Sequence, residues 1–145
     1  MQLLGQAFRI ARKRLGFVPT FHDAEVVGLD LRRQAPSRLS VYCWRGLNQT
    51  DERGHFICDR HAVVTFVMTD IIHIQLEGFG PQNVLSELVV RRALDRPESQ
   101  NHYVMNPSSE DYELELGPCY GLSGYIRCRA VSVEILAGKP LDLRT

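Results

Sequence analysis

The stretch that decides the fold is residues 61–85, HAVVTFVMTDIIHIQLEGFGPQNVL. Two apolar runs meet at Thr69-Asp70, and in the second Ile72, Ile74 and Leu76 alternate with His73, Gln75 and Glu77. A period of two marks a β-strand with one buried and one solvated face. The strand runs into Gly78-Phe79-Gly80-Pro81-Gln82-Asn83, where two glycines and a proline make a turn.

The same period recurs on both sides. Phe21-His22-Asp23-Ala24-Glu25-Val26 opens a strand in which Val27, Leu29 and Leu31 alternate with Gly28, Asp30 and Arg32. After the turn Gln34-Ala35-Pro36-Ser37, Leu39, Val41 and Cys43 oppose Ser40, Tyr42 and Trp44. Residues 46–60 read as a polar loop. Downstream, residues 83–92 form a further strand, and 95–111 are too polar for a core and read as a long surface loop. Tyr112, Leu114 and Leu116 then alternate with Glu113 and Glu115. In the last strand, 125–136, the apolar set changes phase, from Ile126, Cys128 and Ala130 to Val131, Val133 and Ile135. A phase change inside a strand predicts a β-bulge.

Residues 2–15 differ in period. Leu4, Ala7, Phe8, Ala11 and Leu15 form one helical stripe, with Arg9, Arg12 and Lys13 facing away, Gly16 as a C-terminal cap and Pro19 as a stop. The fold class expected is therefore α+β: an N-terminal helix packed on a curved, mainly antiparallel sheet of six to eight strands, in one domain over residues 1–145. Helices do not alternate with strands, which excludes a doubly wound nucleotide-binding fold.

A chain of 145 residues buries roughly two-thirds of its unfolded surface, so no metal or disulfide is required for stability. Net charge is zero, which argues against a dedicated nucleic-acid binder. The charge is unevenly spread: residues 1–60 hold ten Lys/Arg against six Asp/Glu, and residues 61–145 seven against eleven. The acidic excess is sharpest from Asp95 to Glu115, either as a solvated surface or as a patch that steers a basic partner. No apolar run approaches a membrane span and no signal-peptide core opens the chain, so a cytoplasmic, reducing location is expected, with the four cysteines unpaired. Cys43 and Cys128 share strand faces with apolar residues and read as core.

Three arrangements invite chemistry. His55, Cys58 and His61 fall at three-residue intervals and offer zinc-type ligands, but no second knuckle completes a tetrahedron. Gly117-Pro118-Cys119-Tyr120-Gly121 has the form of a nucleophile elbow, which needs a helix after it; a strand follows here. His22 and Asp23 are adjacent on an extended segment, so their side chains diverge and would tie down the backbone rather than meet one substrate. No metal, cofactor or catalytic residue is expected. For recognition, Gln82 and Asn83 can either satisfy the backbone of their own turn or project outward. Trp44, beside Tyr42 and Arg45, is either an interface anchor or a cover for the helix.

The order and spacing of Phe21 to Val26, of Gly78, Phe79, Gln82, Asn83 and Val84, and of Gly121 and Gly124 before a long strand resemble the immunity proteins of bacterial polymorphic toxin systems, specifically immunity protein family fifty. That resemblance implies a non-enzymatic protein that binds and neutralises a cognate toxin domain; it fixes no contact residues. Charge and residue type nominate Trp44, Gln82, Asn83, Glu98, Glu110, Asp111, Glu113 and Glu115 as partner-binding. The alternatives are a small hydrolase or metal-dependent enzyme on the His/Cys loops, and a module that forms a homodimer through a sheet edge.

Overall fold

Asp70 adopts a left-handed backbone conformation (φ 55°) in the middle of a 22-residue strand, and the fold turns on that corner. The computed structural model describes residues 21–50, 52, 56–94 and 107–140, with the backbone alone at 45–50 and 56–60. Six strands follow one another: β1 (Glu25–Asp30), β2 (Ser37–Thr50), β3 (Phe56–Glu77), β4 (Val84–Arg92), β5 (Tyr112–Tyr120) and β6 (Ser123–Ala137). Every neighbouring pair is antiparallel, and the order β1-β2-β3-β6-β5-β4 closes into a barrel.

The long ribbon of β3 and β6 makes closure possible. Its first half, with Phe66 opposite Val133 and Met68 opposite Val131, pairs on the other side with β2. Its second half, with Ile74 opposite Ile126, pairs with β5. Between them both strands change phase together. On β3 the inward set passes from Ala62, Val64, Phe66 and Met68 to Ile71 and Ile74, and on β6 from Val131 to Cys128 and Ile126. The left-handed residue at Asp70 supplies the turn of the backbone, a conformation that Asp tolerates better than most L-residues. The expected phase change in β6 is thus present, but the extra residue lies on the partner strand: the register slips between Ile71 and His73, opposite Cys128 and Arg127.

The α+β expectation is corrected: the described residues are all-β. The physical reason is closure. An open sheet needs a helix to cover its apolar face, whereas a closed sheet buries its own. Leu39, Val41, Cys43, Val64, Phe66, Met68, Leu85, Leu114, Ile126 and Cys128 are fully buried against one another. Residues 2–15, where a helix is expected, lie outside the described residues. The polar segment 46–60 is also shorter as a loop than expected, because β2 continues to Thr50 and β3 begins at Phe56. Closure between β1 and β4 is brief, resting on the single ladder pair Glu25–Val84 and the backbone bonds around it.

Candidate binding surface

Those bonds gather three separate segments at one end of the barrel. The Leu85 N–H donates to Ala24 O at 2.8 Å, the Asp23 N–H to Leu85 O at 2.8 Å, and the Val26 N–H to Asn83 O at 2.9 Å. Asp23 turns the chain with a positive φ of 63°, so His22 and Asp23 are not on an extended segment and their side chains meet rather than diverge, with the exposed Asp23 carboxylate 3.2 Å from His22 Nδ1. Phe21 packs its ring against Phe66, 5.7 Å between centroids, and so stoppers the core.

Asn83 ties the other two segments together. Its Oδ1 accepts the N–H groups of Gly80 and Leu122, both at 3.0 Å, and its Nδ2 donates to Gly80 O at 2.9 Å. The side chain is buried, and each of its polar atoms is satisfied. Gly78 (φ 79°) and Gly121 (φ 88°) let the loops touch: a Cβ on Gly78 would stand 2.5 Å from Gly121 O, and one on Gly121 2.6 Å from Gln82 O. Only glycine accommodates both the conformation and the approach. Phe79, on the β3–β4 loop (65% exposed), and Tyr120, the last residue of β5 (52% exposed), stand out into solvent at this end, and Gln82 is exposed as well. Phe79 therefore does not anchor its loop in the core. Large aromatic side chains on a rigid backbone offer contact area at low ordering cost.

Two of the described carboxylates of the acidic run do not face solvent. Asp111 and Glu113 are both fully buried. Asp111 accepts the Ser108 N–H and the Arg127 Nε–H, each at 2.9 Å, and pairs with Arg129. Burial alone would raise the Asp111 pKa, but the bonds from Ser108, Arg127 and Arg129 outweigh it and hold the carboxyl below its ordinary value. Glu113 accepts from Arg91 at 2.8 Å, and Arg91 also pairs with Glu115, which is part-exposed. In register, Arg91, Glu113 and Arg127 form one row across β4, β5 and β6. Opposite charges set directly across strands are a source of sheet stability, so these carboxylates belong to the barrel wall. Glu110 is exposed; Glu98 lies outside the described residues.

Trp44 is half-buried on the outer face, 5.1 Å from the Tyr42 ring, and Tyr42 Oη lies 2.7 Å from His61 Nδ1. His55 lies outside the described residues, and of Cys58 only the backbone is described. Among the described residues no three His, Cys, Asp or Glu side chains converge as a metal site. Cys119 is exposed within β5, and β6 follows after a two-residue turn, so the elbow segment is a hairpin. Burial pushes the Cys43 and Cys128 thiols up to about 12. A cavity of about 320 Å³ beside Gly124 is lined by Gln75, Glu77, Glu115 and Tyr125.

Of the residues nominated from sequence, the structure brings Gln82 and Asn83 to the clamped end, Asp111, Glu113 and Glu115 to an ionic wall, and Trp44 to a third position. Phe79 and Tyr120 are exposed aromatics that sequence reasoning did not nominate. For Phe79 the available signal is an aromatic between two glycines, outside any alternating run; Tyr120, between Cys119 and Gly121, carries no such signal. Comparison with protein-family models, with curated proteins and with solved structures finds no match.

Proposed function

We propose that this chain is a non-enzymatic immunity protein, which binds a cognate bacterial toxin domain and neutralises it by occlusion. One observation carries the binding surface: Phe79, on the β3–β4 loop, and Tyr120, at the end of β5, are exposed beside backbone that the Asn83 side chain ties together and that Gly78 and Gly121 let approach closely. Interface hot spots are enriched in aromatic anchors, and a backbone that needs no ordering loses less free energy on association. The toxin as partner follows from the resemblance of Phe21–Val26, Gly78–Val84 and Gly121–Gly124 to that family. These are the segments that meet at the clamped end. Their motif residues then act mostly as barrel closure, with the contact chemistry supplied by what protrudes from it.

The test is co-expression with the product of the reading frame immediately upstream. Growth arrest by that product alone, relieved by this chain, supports the reading. A harmless product, or arrest that persists in the presence of this chain, contradicts it.

A further inference from the structure

At the opposite end of β1 from the Asn83 contacts, an open cavity of about 490 Å³ lies between the β1–β2 turn and the Asp70 corner. Its apolar wall is Leu31, Ile71, Ile72 and Ile74. Ile71 and Ile74 are the inward residues of β3 just past the corner, so the cavity opens onto the rim of the core. Leu31 is 47% exposed, a large apolar side chain left in solvent. The volume falls within the ~300–1,000 Å³ typical of small-molecule sites.

Arg32 and Arg33 stand at the mouth. Their turn is fixed by the fully buried Ser37, whose Oγ accepts the Arg32 N–H at 2.8 Å and donates to Arg32 O at 3.2 Å. Arg32 is engaged by Asp30, with Nε to Oδ1 at 3.0 Å. Arg33 is exposed and has no carboxylate partner among the described residues. Asp70 is the one acidic residue among those that line the cavity.

We propose that this cavity binds an amphiphilic carboxylate, with its alkyl chain on Leu31, Ile71, Ile72 and Ile74 and its head group on Arg33. An isoleucine-lined wall favours a flexible chain without polar atoms, and a guanidinium fork matches a carboxylate in two-point geometry. The turn that carries the arginines is already built, so binding orders little beyond the Arg33 side chain. The Asp70 carboxylate weakens head-group binding but keeps its corner; Asn at that position would retain the left-handed conformation and remove the charge.

The test is calorimetric titration of the full chain with n-decanoate, n-decanol and decyltrimethylammonium, each below its micelle concentration. Decanoate should bind saturably at one site, decanol about tenfold more weakly, and the cation not at all. Octanoate should lose about fourfold per methylene removed. Arg33→Glu should weaken decanoate at least about tenfold, and Asp70→Asn should strengthen it, with thermal unfolding unchanged in the first. Absence of saturable decanoate binding, equal binding of all three head groups, or an Arg33→Glu variant with unaltered affinity would each overturn the proposal.

Discussion

The side-chain carbonyl of Asn83 accepts the backbone N–H of Leu122 at 3.0 Å, joining the β3–β4 loop to the β5–β6 turn across 39 residues of chain. The same residue's backbone carbonyl accepts from Val26 on β1. One buried amide therefore couples barrel closure to the shape of the end that carries Phe79 and Tyr120.

Replacing Asn83 by Ala leaves the buried Leu122 N–H and the two polar groups of Gly80 without their partner. Each stranded group costs about 1–3 kcal/mol, so a loss of about 3 kcal/mol is expected. Urea unfolding measures it. Gln82→Ala, one residue away and exposed, should stay within about 0.5 kcal/mol.

Glycine positions should divide sharply. A Cβ on Gly124 (φ 125°) would fall 1.9 Å from Gln75 O, inside the β3–β6 ladder, whereas one on Gly28 would meet nothing closer than Ser40 Cβ at 3.9 Å. Gly124→Ala is expected to destabilise by several times more than any effect at Gly28, where Ala should gain about 0.5 kcal/mol in the strand. Thermal unfolding of the two variants gives the comparison.

Much of this was legible in the alternation of apolar residues. Leu39, Val41 and Cys43, or Leu114 and Leu116, point inward as their period of two requires. Closure was not legible, because it depends on register, shear and one short ladder between β1 and β4 that no local pattern encodes. The ionic wall was hidden for a similar reason: Asp111 and Glu113 look like solvated carboxylates until β4 and β6 set Arg91 and Arg127 beside them. A sequence signal existed in Arg127, a charge held between Ile126 and Cys128 in an apolar strand, but its partner lies 16 residues away on another element. Asn83 was open to two roles, and its satisfied, buried side chain identifies the structural one.

Acid should weaken the wall. The Asp111 carboxyl titrates below its ordinary value in the folded protein, so its stabilisation is full above about pH 4 and fades as pH falls through the lowered folded pKa. Asp111→Ala removes one side of a buried pair and should cost about 3–5 kcal/mol near neutral pH. It should also flatten the stability profile at acid pH. Chemical denaturation of both proteins between about pH 3 and pH 7 checks the sign.

Thiol reactivity should separate the cysteines. Cys43 and Cys128 are buried with thiols pushed up to about 12, while Cys119 is exposed. Iodoacetamide at neutral pH should alkylate Cys119 in the native protein and reach Cys43 and Cys128 only in denaturant. Peptide mapping by mass spectrometry gives the order of labelling.

Binding of a toxin by the clamped end through its protruding aromatics is decided by the dissociation constant for the purified upstream gene product. Wild type, Phe79→Ala and Tyr120→Ala should be compared at fixed salt, each first shown to unfold like wild type. A specific complex is expected, which each variant weakens by about thirtyfold, the level of an interface hot spot. A complex of undiminished affinity in both variants, or no complex with wild type, would contradict it.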